Sequence, residues 1–229
     1  PELKPTPQLR PARIVVSLLT CALVIAAGWA AWSYIGTNVL AKHRQGEMAV
    51  ALADDWKGNR QGDAAKDRVK LGDVFAVLRV PRFGDDWEVP VVSGIDDTAL
   101  TSGVGWFSDS QRPGQLGNFA VAGHRVGRGS PFLDLDRMRP GDAIVVETDD
   151  SWFVYRVLGD AASGDFGTDA SGIPGRQIVR PSDVEVISPT PGGPARGEAS
   201  GAYLTLTTCH PKYSAEQRLI IHARLDGGA

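Results

Sequence analysis

The chain has only 2 cysteines in 229 residues, too few for a disulfide framework. Cys21 lies inside a long apolar run and Cys209 lies far along the polar remainder, so two free thiols are expected. In an exported protein a lone accessible thiol is a liability unless its reactivity is used, which draws attention to Cys209. Charge of one sign is also missing: 24 Lys and Arg stand against 27 Asp and Glu, for a net charge of −3, with no basic cluster. A nucleic-acid partner is therefore excluded. With 4 histidines and no Cys-X-X-Cys or paired-His spacing, a zinc site built from His124, Cys209, His210 and His222 has no support. Strand alternation is expected to keep His222 apart from neighbouring side chains, and His43, His210 and His222 are read as surface or packing residues. No acidic cluster has calcium-binding spacing, so no metal and no cofactor is expected. There is no internal repeat.

What is present suits one packed domain with additional segments: 42% of residues are hydrophobic and 22% charged. The 27 glycines and 15 prolines fall between short runs rich in Val, Ile, Leu and Thr, the punctuation of an all-β barrel or sandwich. Strands are expected at 73–80, 87–92, 118–122, 143–147, 151–157, 203–209 and 218–225, with turns or loops at Pro113-Gly114, Pro140-Gly141 and 188–201.

Ahead of this pattern, Ile14 to Ile35 is a stretch of 22 residues without a charge. At the helical rise it reaches about 33 Å, enough for a hydrocarbon core of about 30 Å. Lys4, Arg10 and Arg13 precede it, which by the positive-inside rule puts the N-terminus in the cytoplasm and the bulk of the chain outside. The length of the run and the poor cleavage site around position 30 favour an anchor over a cleaved signal. The expected organisation is a cytoplasmic tail (1–13), a transmembrane helix (14–35), a partly helical extracellular spacer (36–70) and a β domain (71–226).

Three residues could carry chemistry. His124 follows a strand in Ala122-Gly123-His124-Arg125, Cys209 ends the alternating run Tyr203 to Thr208, and Arg218 opens the next strand nine residues later. Singly, each has a bland reading as a capping, packing or surface residue. Together they differ, because a hairpin returns Arg218 close to Cys209. A thiol of ordinary pKa near about 8.5 needs a base or positive charge to become a nucleophile, and attack on an amide needs a donor aimed at the developing oxyanion. His124 fits the acid/base role and Arg218 the stabilising role.

The same residues resemble the sortase family over about 71–225: Gly117-Asn118 before Ala122-Gly123-His124, then Tyr155-Arg156-Val157, then Leu204-Thr205-Leu206-Thr207-Thr208-Cys209, then Arg218 at the last strand. The run from Thr205 to Ser214, followed by Ala215-Glu216-Gln217-Arg218, is similar to class E sortases of actinobacteria. The resemblance implies an eight-stranded sortase-type β-barrel with short helices, and a cysteine transpeptidase that cleaves a C-terminal sorting signal between Thr and Gly. The signal implied is Leu-Ala-X-Thr-Gly, and the protein is passed through a thioester to an amine of peptidoglycan or of its lipid-linked precursor. The implied partners are surface proteins bearing that signal and the cell membrane. It further implies that Asn118, Ala122 and Thr208 face the peptide and that Val184, Val186 and Ile187 line the pocket for its Leu. Relatives often carry an aromatic residue shortly after the catalytic His, where this chain has Val126-Gly127-Arg128-Gly129, which leaves Ala versus Pro at the second signal position open. An L,D-transpeptidase would place Cys in a Ser-X-Gly-Cys motif absent here, and a non-catalytic tethered binding module is the remaining alternative.

Overall fold

The computed structural model describes residues 11–58, 69–167 and 170–228. The first 10 residues of the expected tail, with Lys4 and Arg10, lie outside these, as do positions 59–68 of the expected spacer. Helix α1 (Pro11–Ala31) is exposed, and its Arg13–Ala31 stretch is long and apolar enough to cross a membrane. A π-helical turn at Trp32–Gly36 joins it to α2 (Thr37–Gly58). The expected spacer thus contains a two-sided helix that packs against the β domain, with Ala41, Gln45 and Ala49 buried along one stripe.

The β domain contains β1 (Val74–Arg79), β2 (Glu88–Ser93), α3 (Asp97–Ser102), β3 (Val104–Trp106), β4 (Gly117–Ala122), β5 (Ala143–Glu147), β6 (Trp152–Val157), β7 (Arg176–Val179), β8 (Ala202–His210) and β9 (Gln217–Gly228). All seven expected strands are present to within a few residues; β3 and β7 are additional. Eight strands close in the order β6-β5-β1-β2-β3-β4-β8-β9, and β9 returns to β6. This is the expected eight-stranded barrel. The ninth strand, β7, pairs with the first half of β9, while the second half of β9 pairs with β6. Closure leaves no barrel edge for another chain to extend.

Period-two alternation divides the wall that carries the motifs. Phe119 and Val121 of β4, Leu204 and Leu206 of β8, and Leu219, Ile221 and Ala223 of β9 enter the core with Tyr155, Ile144 and Leu78. The intervening residues, Asn118, Ala122, Thr205, Thr207, Cys209, Arg218, Ile220 and His222, therefore face outward. Part of that outer face is covered by Leu158, Ile173 and Tyr203, which form a small second cluster, and by a 3-10 turn at Val184–Ile187. The uncovered part is the site.

Candidate active site

Strand pairing brings the motifs together. In the antiparallel β8/β9 ladder Cys209 is directly opposite Arg218, as the hairpin expectation requires. In the parallel β4/β8 ladder the register runs one for one from Gly117 opposite Ala202 to Ala122 opposite Thr207. His124 lies two residues beyond Ala122 and Cys209 two beyond Thr207, so both stand at the same end of this ladder. His124, Cys209 and Arg218 line one cleft of about 340 Å³, together with Ala122, Thr208, Val184, Val186 and Ile187.

Three tethers hold the chain around His124 against the end of β8. The Gly123 N–H donates to Thr207 O at 3.1 Å, and Thr208 Oγ1 donates to Gly123 O at 2.7 Å. On the other side of His124, Arg125 Nη1 donates to Cys209 O at 3.4 Å, while its Nη2 pairs with Asp136 Oδ1 at 2.9 Å. Arg125 is 3% exposed, so its charge lies inside the protein, between the histidine loop and the cysteine. Gly123 lets Phe132 pack against the same segment: a Cβ there would stand 2.6 Å from the Phe132 ring. Cys209 itself is half-buried, at the surface of the cleft rather than sealed in the core.

Burial disfavours the charged form of His124 and lowers its pKa from the ordinary value. Among the described residues its Nε2 is buried without a hydrogen-bond partner, as are Arg125 Nε, Ser188 Oγ and His210 Nδ1. Arg218 Nη1 is braced by the carbonyls of Ala215 and Gln217, each at 2.9 Å. The arrangement offers a thiol, a neutral imidazole and a fixed cation to one small region. That can support attack on a carbonyl with stabilisation of the resulting oxyanion.

Asn118 requires a correction. It does not line the cleft; it is fully buried beneath the cleft's wall. Its Nδ2 donates to Val186 O at 3.3 Å and Ser188 O at 3.0 Å, and its Oδ1 accepts from Thr205 Oγ1 at 2.8 Å. The amide is consumed in holding the Val184–Ile187 turn to the barrel. The exposed Val184 and half-buried Ile187 present their apolar surface from that turn, with Val186 more deeply buried. His222 is likewise not separated from its neighbours: it is buried between Thr205 and Gln177, within 2.9 Å of each. Among the described residues no three His, Cys, Asp or Glu side chains could hold a metal ion.

Sequence reasoning missed the wall on the β3 side of β4, formed by Ile95, Leu100 and Phe107. It also missed Arg125, whose only signal was its position after the histidine.

A cysteine, a histidine and an arginine thus share one cleft on the outer wall of a closed barrel, and comparison with known proteins gives the family. The sortase domain family matches residues 78–226. The chain is 33% identical to sortase SrtE1 of Streptomyces coelicolor over 196 residues, 82% of this chain and 50% of that protein. It thus spans about half the length of that relative. Against sortase SrtE2 of the same organism it is 30% identical over 236 aligned positions, 94% of this chain and 85% of that protein. The solved SrtF sortase of Corynebacterium diphtheriae superposes with a TM-score of 0.68 at 40% identity, over 75% of this chain and 93% of that one. The chain belongs to the sortase family of cysteine transpeptidases. Its relatives include the class E sortases expected from the Thr205–Ser214 run, and SrtF besides.

Proposed function

We propose that this chain is a membrane-anchored transpeptidase in which Cys209 is the nucleophile, His124 the acid/base and Arg218 the oxyanion stabiliser. The sulfur attacks the Thr carbonyl of a Leu-Ala-X-Thr-Gly signal, forming a C–S bond, while its proton passes to the imidazole. The C–N bond to Gly then breaks, and His124 gives that proton to the departing amine. An amine of peptidoglycan or its precursor next attacks the thioester; the new C–N bond forms, the C–S bond breaks, and the imidazole takes the surplus proton. Its low pKa suits this shuttling, since the neutral form must be available at each acceptance. Ala122, Thr208 and the Val184–Ile187 turn take the peptide, with Leu against Val184, Val186 and Ile187. Helix α1 anchors the protein with its N-terminus cytoplasmic and the barrel outside.

The observation that carries this reading is the direct pairing of Cys209 with Arg218 in a cleft shared with His124. Incubation with a Leu-Ala-X-Thr-Gly peptide followed by intact-protein mass spectrometry should give an adduct on Cys209 equal to the acyl fragment, absent in Cys209→Ala. Full cleavage by that variant would remove Cys209 from the mechanism.

A further inference from the structure

The loop that follows His124 is held in an unusual conformation. Gly127, Arg128, Gly129 and Ser130 have φ of 76°, 51°, 84° and 46°, four consecutive residues in the left-handed region. Two of them carry side chains, for which that region is disfavoured. The loop closes on the histidine itself, because the Phe132 N–H donates to His124 O at 3.1 Å. Its shape therefore bears on where the His124 backbone sits. Strained segments persist where the surroundings over-determine them, and here they are α3, through Asp97 and Thr101 on the Arg128 side chain, and α2, the helix that continues from the membrane span.

Asn38 Oδ1 accepts the Gly129 N–H at 2.9 Å and faces Ser130 Oγ at 3.3 Å. Gln45 Nε2 donates to Arg128 O at 3.3 Å and to Thr101 O of α3 at 3.1 Å. Gln45 is 4% exposed, and both of its amide hydrogens are committed to these carbonyls. Asn38, Ala41, Gln45 and Ala49 recur at helical spacing on one stripe of α2, and of these Asn38 and Gln45 reach the loop. The fit is close: a Cβ on Gly129 would stand 2.6 Å from the Gln45 amide. No α2 residue lines the cleft, so the helix supports the site from behind and does not cover it.

We propose that Asn38 and Gln45 are positioning residues for His124, making the helix next to the membrane span a working part of the transfer apparatus. This rests on the reading of His124 as the acid/base. Loss of either contact lets the left-handed loop relax and moves the imidazole relative to the sulfur, which weakens proton transfer more than peptide binding.

The test uses the full chain in lipid nanodiscs. Asn38→Leu removes the acceptor, Asn38→Asp keeps it, and Gln45→Glu removes both donors. Asn38→Leu and Gln45→Glu should lower kcat for a Leu-Ala-X-Thr-Gly peptide about tenfold or more with KM little changed, and Asn38→Asp should stay near wild type. Iodoacetamide labelling of Cys209, followed by peptide mass, should slow in the same two variants. Wild-type kcat and labelling rate in Gln45→Glu, or a lowered melting temperature with both unchanged, would overturn the proposal. If Asn38→Leu does not fold, the Gln45→Glu and Asn38→Asp pair decides. If wild type cleaves no sorting peptide, the functional reading fails, while the labelling rates still decide this inference.

Discussion

Thr205 Oγ1 lies 2.9 Å from His222 Nδ1, and this contact settles where the histidine proton resides. The Asn118 amide nitrogen faces two carbonyls, so its oxygen faces Thr205 and can only accept. The single Thr205 hydrogen is spent there. Nδ1 of His222 must then donate to Thr205, and Nε2 is left to accept from Gln177 Nε2 at 2.9 Å. The network runs from β7 through β9, β8 and β4 to the turn that walls the cleft. Every member is satisfied only while His222 is neutral, a state that complete burial also enforces.

Stability should therefore fall in acid. Burial lowers the His222 pKa to about 3, below the ordinary value near about 6.5 that it has when unfolded. Between those values the unfolded chain binds a proton that the folded one does not, so acidification favours unfolding, by at most about 1.4 kcal/mol per pH unit from this group. The stability is fully present above the unfolded value and is lost as pH drops toward the folded one. Urea unfolding at neutral and acid pH should show a steeper acid loss for wild type than for His222→Gln.

Asn118→Ala should loosen the cleft wall without touching the cleft. The Val186 and Ser188 carbonyls lose their donor in a buried setting, a cost of about 1–3 kcal/mol. KM for the sorting peptide should rise more than kcat falls; the reverse pattern in steady-state kinetics would place Asn118 in the chemistry instead.

Removing Arg125 should be costly for both fold and turnover. Its guanidinium is buried, paired with Asp136 and bonded to the Cys209 carbonyl. Arg125→Leu leaves Asp136 and that carbonyl without it, and a loss of about 3 kcal/mol or somewhat less is expected because Asp136 is partly exposed. Denaturant melts and acylation rates should both decline, with Arg125→Lys intermediate because a single ammonium cannot serve both partners in the same fork geometry.

Arg218→Ala should lower kcat by about 10² to 10³, the range for losing one oxyanion donor, with the melting temperature little changed since the side chain is only half-buried. Near-wild-type turnover would make Arg218 a brace for the loop that precedes it.

The β8 and β9 strands were legible because long alternating runs encode both a strand and its buried face. The spacing of Cys209 and Arg218 about one short loop encoded their pairing as well. Strands β3 and β7 were not, since Val104–Trp106 and Arg176–Val179 are too short to show a period. Helix α2 escaped for another reason: it docks through Asn38, Ala41, Gln45 and Ala49, small and polar residues that leave no apolar stripe to detect. The long apolar run, the motif order and the strand-rich pattern were properties of local sequence, and the sequence by itself determined them. Where Asn118 and His222 spend their hydrogen bonds, which charge lies behind the cysteine, and what holds the histidine loop depend on contacts between segments distant in the chain. Local patterns carry no such distances, so only the closed tertiary structure decided them.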